Sequence, residues 1–285
     1  MSRARVAVLT LIALIAFAAN SILCRLAFEG SSIDPASFAS IRLLAGALAL
    51  WLIVGLRRTA NGIGGSWPSA AALFGYAAAF SFAYVSLHTG VGALLLFGAV
   101  QATMILAGLR AGERLNGPQG AGLTLALGGL GYLMLPGLAA PPLAGALLML
   151  AAGIAWGMYS LRGRGAADPL GATAGNFLRA ALLGIGLALA ALPWLQVDSE
   201  GAGYAVLSGA LTSGVGYAVW YAALRGLAAT HAATVQLSVP VIAAAGGTLL
   251  LGEPVTLRLV LASVAILGGI ALVVLGKSFR SASGK

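Results

Sequence analysis

Polar side chains are scarce in this sequence, so those lying within apolar stretches are the ones placed to do chemistry. Asn20, Gln101 and Gln236 fall near the middle of such stretches. Each could hydrogen-bond an α-amino or α-carboxyl group, or equally a neighbouring helix. Tyr76, Phe80, Tyr84 and His88 recur at spacings of four, which puts them along one helix face. Trp156, Tyr159 and Ser160 form a second cluster, and Tyr217, Trp220 and Tyr221 a third. Three aromatic clusters on different segments could line a cavity for an apolar or aromatic group, although such stripes also serve as plain packing. Arg42 and Arg179 lie two to three turns into their segments, or ~10–13 Å from the near end. They read either as gating residues at two mouths of a cavity, Arg42 outside and Arg179 inside, or as anchors snorkelling to the nearer interface.

The elements that carry these residues follow from composition. Hydrophobic residues make up 60% of the chain and charged residues 8%, and the mean hydropathy is +0.99. Soluble domains are about one quarter charged, so this chain must present its outer surface to lipid. The 41 glycines suit helices that approach closely in a bilayer. A span needs about 20 apolar residues. Pro, Gly and charge clusters punctuate the chain into ten: 5–27, 35–56, 68–88, 91–109, 118–135, 142–161, 170–192, 202–224, 230–250 and 256–275. The first could pass for a signal peptide, but an internal repeat uses it as its first member. Trp51, Trp67 and Trp194 sit at span ends as interfacial anchors, whereas Trp156 is mid-span.

The net charge of +9 then orients the spans, and nucleic-acid binding is not expected from it. With the N-terminus in the cytoplasm, the inner side holds Arg3, Arg5, Arg57, Arg58, Arg110, Arg114, Arg162, Arg164, Arg225, Lys277, Arg280 and Lys285. The outer loops keep only Arg258, with Glu29, Asp34, Asp198, Glu200 and Glu253. Both termini are expected in the cytoplasm of a bacterial cell, and the chain in its inner membrane.

A repeat at an offset of about 140 residues organises the spans. Gly112-Glu113 and Gly252-Glu253 recur, as do Leu127-Gly128-Gly129 and Leu267-Gly268-Gly269. Arg25 and Arg42 are separated like Arg162 and Arg179, and Asp-Pro recurs at 34–35 and 168–169. The expected units are 1–139 and 140–285, five spans each. An odd number inverts the second copy, and inverted repeats suit alternating access around a central site. Gly128 and Gly268 are expected at close helix contacts. Glu113 and Glu253 are expected to be structural, each before a helix N-terminus and within reach of Arg114 or Arg258.

Residues 221–274, "YAALRGLAATHAATVQLSVPVIAAAGGTLLLGEPVTLRLVLASVAILGGIALVV", resemble the second half-repeat of the EamA type in the drug/metabolite transporter superfamily; residues 88–133 resemble the first more loosely. The resemblance implies a ten-helix exporter of small metabolites, with the bacterial aromatic amino-acid exporters as the nearest branch. It also implies a helix-breaking proline in the fourth and ninth spans. Pro240 supplies the second, but Val100 stands at the first.

Other classes fit poorly. No Asp or Glu lies mid-span, and only His88 and His231 remain to carry a proton, both near span ends. Coupling through a buried carboxylate is therefore disfavoured against facilitated diffusion or exchange. An aspartyl protease is excluded on the same ground; G-x-S-x-G, H-E-x-x-H and a phosphate-binding loop are all missing. Neither a metal nor another cofactor is expected with two His and one Cys. The expected architecture is thus an all-α integral membrane protein, not an enzyme. Its expected partners are the bilayer and a small molecule, with monomer or homodimer left open. Amino acids, aromatic or otherwise neutral, are the leading substrates; phosphorylated or nucleotide-linked sugars, or an ion channel, are the alternatives.

Overall fold

The computed structural model describes residues 1–57, 63–137, 140–227 and 229–283, with side chains at all of these except 229, 230 and 276–283. Arg58, Lys285 and the expected boundary after residue 139 lie outside the described residues, as do the side chains of Lys277 and Arg280. The described chain is helical throughout: α1 (Arg3–Gly30), α2 (Pro35–Leu56), α3 (Trp67–Tyr84), α4 (Thr89–Arg110), α5 (Gly117–Met134), α6 (Leu143–Gly163), α7 (Pro169–Ala190), α8 (Ser199–Val206), α9 (Gly216–Leu224), α10 (Ala229–Gln236), α11 (Val239–Leu251) and α12 (Leu257–Ser283). A π-helical stretch, Leu207–Val215, joins α8 to α9 without a break.

Local chemistry sets the ends. Asp34, Ser66, Asp168 and Asp198 each accept a hydrogen bond from a backbone N–H in the first turn of the helix that follows. Asn116 and Gln119 form a reciprocal capping box at α5. Pro240 lies in the first turn of α11, where its missing N–H costs nothing, and the backbone turns at Leu237–Ser238 just before it. The ninth expected span is therefore two helices, while α4 runs unbroken through Val100.

Among the described residues seven helical segments are long and apolar enough to cross a membrane: α1, α2, α4, α6, α7, His231–Leu251 and Leu257–Leu275. The three remaining expected spans are the 18-residue α3 and α5, each about 27 Å long at 1.5 Å per residue, and the continuous α8–π–α9 rod. Their outer faces are apolar. On α2, Leu44, Leu48, Trp51 and Leu52 point outward while Leu43, Ala47 and Leu50 are buried. Water would penalise that face heavily, and lipid does not. The protein is a multi-pass membrane protein.

Packing joins helices from opposite halves of the chain: α2 to α7, α3 to α6, α4 to α11, α5 to α12, and α1 to the α8–π–α9 rod. Small residues make these approaches possible. A Cβ on Gly209 would collide with the Arg42 carbonyl, and one on Gly153 would lie 2.6 Å from the Leu96 carbonyl oxygen. The close contact expected at Gly128 and Gly268 falls one residue later. Space is open at both of those positions, whereas a Cβ on Gly129 would meet Ala265 at 2.7 Å and one on Gly269 would strike the Gly122 carbonyl. A one-residue step turns a helix by about 100°, which moves the contact to the adjacent glycine.

Candidate functional site

A cavity of about 710 Å³ lies at the centre of the bundle. Nine candidate residues line it: Asn20, Tyr76, Phe80, Gln101, Trp156, Tyr159, Tyr217, Trp220 and Gln236. Tyr84 and His88 do not. Tyr84 is wholly buried beyond Phe80, and His88 is exposed at the end of the bundle.

The wall is built in layers. Asn20 on α1 organises a polar patch: its Nδ2 donates to the Tyr76 hydroxyl (3.2 Å), and its Oδ1 accepts from Ser208 (2.6 Å) and Thr212 (3.3 Å). Both partners belong to the π-helical stretch, where Ser213 also bonds the Ser208 carbonyl five residues back. Such single-turn widenings occur often at functional sites. Next comes an aromatic box. Trp156 stacks on Tyr217 (5.4 Å between centroids) and Tyr159 (5.2 Å) and tilts against Tyr76 (4.8 Å). A second polar patch follows, in which Tyr159 donates to Thr173, Thr173 pairs with Tyr221, and Asn176 reaches Tyr159. Thr173, Asn176, Thr212 and Ser213 line the cavity, and Ser208 bonds Asn20 beside it; sequence reasoning missed all five. The Ser/Thr/Gly run at 208–216 was the available signal.

The two ends differ. Toward the α6–α7 loop the lining continues through Arg164, Gly165, Ala166 and Pro169, so the cavity opens there. Arg179 works near this end as a tether, not as a cavity wall; its guanidinium donates to the carbonyls of Gly64 and Gly175, both at 2.9 Å. The opposite end is sealed. Glu253, only 6% exposed, accepts from the Thr89 backbone N–H (2.8 and 3.0 Å) and hydroxyl (3.2 Å) at the start of α4. Arg25 binds the same carboxylate at 3.4 Å, pairs with Glu29 and donates to the Tyr84 carbonyl at 3.2 Å. Tyr84 in turn donates to the Thr89 carbonyl. A carboxylate on a helix N-terminus is favoured by the dipole and the unpaired amides there. This clamp ties α1, α3, α4 and the α11–α12 loop together.

One expected pairing and one expected placement need correction. Arg258 does not meet Glu253; it donates to the Leu135 carbonyl (2.6 Å) and lies over the Tyr132 ring. The arginine on Glu253 is Arg25, 228 positions away, and His88 Nδ1 lies 3.5 Å from the same carboxylate. Arg42 is more deeply buried than a snorkelling anchor would be, at 3% exposure, beneath the rings of Phe80 and Tyr76.

Outside the spans, two aspartates stitch loops at the sealed end. Asp198 accepts from the backbone N–H groups of Ser32 and Gly201, both at 2.6 Å, which holds its carboxyl below the usual range. Desolvation raises the Asp34 carboxyl, but hydrogen bonds from Ser37, Gln196 and Ala36 outweigh it and leave the group lowered. Among the described residues no cluster of His, Cys, Asp or Glu could hold a metal ion.

Fold and site together define a helical multi-pass membrane protein with a central cavity of small-molecule size. Residues 143–275 match the EamA-like transporter family and form an EamA-like transporter domain; that family is one of small-solute transporters. The chain is 57% identical over 279 residues to an uncharacterized protein of Pseudomonas aeruginosa, covering 98% of this chain and 97% of the relative. A solved crystal structure matches 94% of this chain and 98% of its own with a TM-score of 0.66 at 22% identity, a likeness of fold.

Proposed function

We propose that the protein is an exporter of small metabolites in the bacterial inner membrane, that amino acids with aromatic or other neutral side chains are its substrates, and that it works by alternating access. The carrying observation is the asymmetry of the cavity: open at Arg164, sealed at the Arg25–Glu253–Thr89 clamp. That matches one of the two states an alternating-access cycle requires, and the positive-inside pattern supports a cytoplasmic position for the open end.

The packing supports a pair of inverted five-helix repeats, 1–139 and 140–285. Exchanging the halves turns the contact of the first span with the eighth into that of the sixth with the third. It leaves the contacts of spans two with seven, four with nine and five with ten unchanged, and all five contacts are present. The cavity suits the substrate class: polar patches at two heights for amino and carboxyl groups, an aromatic box between them for the side chain. Its described lining contains no Asp or Glu, which favours exchange or facilitated diffusion over coupling through a buried carboxylate.

Efflux of labelled phenylalanine, methionine and threonine from liposomes carrying the purified chain tests the reading. Flux above empty liposomes, equal with and without a pH gradient, is expected. Flux no faster than the empty control for every amino acid removes the amino-acid assignment. Acceleration by an imposed pH gradient removes the uncoupled mechanism.

A further inference from the structure

Four arginines lie outside the cation-rich loops, and three are matched. Arg25 has Glu29 and Glu253, Arg179 has two carbonyls, and Arg258 has a carbonyl and a ring. Arg42 is the exception. It is 3% exposed, it makes no ion pair among the described residues, and its Nη1 is buried with no hydrogen-bond partner. Ring faces cover it, Phe80 at 4.9 Å and Tyr76 at 5.5 Å from the guanidinium carbon, and the Cys24 thiol lies within electrostatic range. A guanidinium stays charged at any physiological pH and presents five donors. Burying it against two quadrupoles compensates little of the hydration lost, so the position makes physical sense where an anion completes it for part of a cycle.

Phe80 and Tyr76 are themselves cavity wall. Arg42 therefore sits one ring behind the lining, toward the sealed end. The described lining carries a single charged side chain, Arg164 at the mouth. A solute entering there meets a positive rim, apolar and aromatic walls, and then a hidden cation at the blind end.

Accepting that the cavity is the solute site, we propose that Arg42 is its anion receptor and that the substrates are monocarboxylates bearing an apolar or aromatic group, the carboxylate directed to the sealed end. Binding makes Phe80 and Tyr76 turn aside, so that the carboxylate replaces the rings on the guanidinium. Phe80 packs edge-on against Tyr84 at 4.8 Å, and Tyr84 holds both Arg25 and Thr89 through its backbone and hydroxyl. Displacing Phe80 thus loosens the clamp from within, which links substrate arrival to opening of the far end.

The test is ligand binding to the purified full chain in nanodiscs, read by Trp fluorescence and by ligand-induced thermal stabilisation. The probes are L-phenylalanine, 3-phenylpropionate, L-phenylalaninamide and phenethylamine. In the wild type both carboxylates should bind about tenfold or more tightly than the amide and the amine, the size of a lost charge-assisted hydrogen bond. Arg42→Gln should bring the carboxylates to the amide's level and leave the amide unchanged; Arg42→Lys should keep a carboxylate preference. Equal wild-type affinity for acid and amide, or a carboxylate preference undiminished in Arg42→Gln, overturns the proposal. So does failure of both carboxylates to bind. Should Arg42→Gln not fold, the wild-type acid-to-amide ratio alone decides. If 3-phenylpropionate binds and phenylalanine does not, the anion receptor stands and the amino-acid assignment falls. If only the amide or amine binds, the receptor falls and the solute site remains.

Discussion

The Gly-Glu phrase at 112–113 and its twin at 252–253 begin alike and end differently. Each follows a long helix and turns the chain back through a glycine of positive φ, 91° at Gly112 and 67° at Gly252. Each glutamate donates its backbone N–H to a glycine carbonyl in the last turns of that helix, Gly108 or Gly247, and brings its carboxylate close to the same glycine. Beyond this the two part company. Glu113 is exposed. Glu253 is buried and joins Arg25 and the N-terminus of α4. One local structure is thus used twice, and only one copy is engaged in sealing the cavity. The lesson is that a repeated motif specifies a local geometry, while distant contacts decide which copy is buried.

The largest expected effect breaks this asymmetry directly. Glu253→Ala strands the Thr89 N–H and removes one partner of Arg25, and should cost about 2–4 kcal/mol of stability. Glu113→Ala should cost less than about 0.5 kcal/mol, as exposed sites do. Thermal unfolding in detergent compares them, and equal losses would dissolve the contrast. The Glu253 variant should also let a membrane-impermeant thiol reagent reach Phe80→Cys from the sealed side, where the parent blocks it.

A subtler pair tests the glycines. A Cβ at 247 would strike the Glu253 carboxylate and approach Thr89 Cβ at 2.9 Å, in a clamp with no room to yield. Gly247→Ala should therefore destabilise by about 1–3 kcal/mol. At Gly108 the atom met is the far end of the Glu113 side chain, 2.5 Å from where the Cβ would stand, on an exposed residue. Gly108→Ala should be within about 0.5 kcal/mol of wild type or slightly stabilising, since alanine is the better helix former. Matched losses would show that the two hairpins are equally confined.

The smallest effect is acid sensitivity at the sealed end. Asp34 and Asp198 have lowered folded-state carboxyl values, so the stability they add is full above about pH 4, the unfolded value, and drains away as pH falls below it. Melting temperatures between pH 6 and pH 3 should drop less steeply in the Asp34→Asn/Asp198→Asn variant than in wild type. Parallel curves would remove these loops from the account of closure.

Much of the architecture was legible because it is local. The segment expected at 35–56 is α2 to the residue, the Pro240 break falls where a missing N–H requires it, and Asn20, Tyr76, Trp156 and Tyr217 line the cavity. The errors were relational. Arg258 stood five residues from Glu253 and was expected as its partner, yet Arg25 is. The packing glycines shifted by one because helix rotation depends on what lies opposite. The π-helical turn is set by how Ser208 and Thr212 meet Asn20, which no window of the sequence contains.

By itself, then, the sequence determined that this chain enters a membrane as apolar helices, where most of them lie to within a few residues, and which rare polar and aromatic groups lie at depth. Each of those is a free-energy difference between one segment in water and the same segment in lipid. The tertiary structure alone decided which Gly-Glu turn is clamped, which end of the cavity is open and that Arg42 is buried beneath two rings with its Nη1 left without a hydrogen bond. These depend on contacts between residues more than a hundred positions apart, which neither composition nor periodicity encodes.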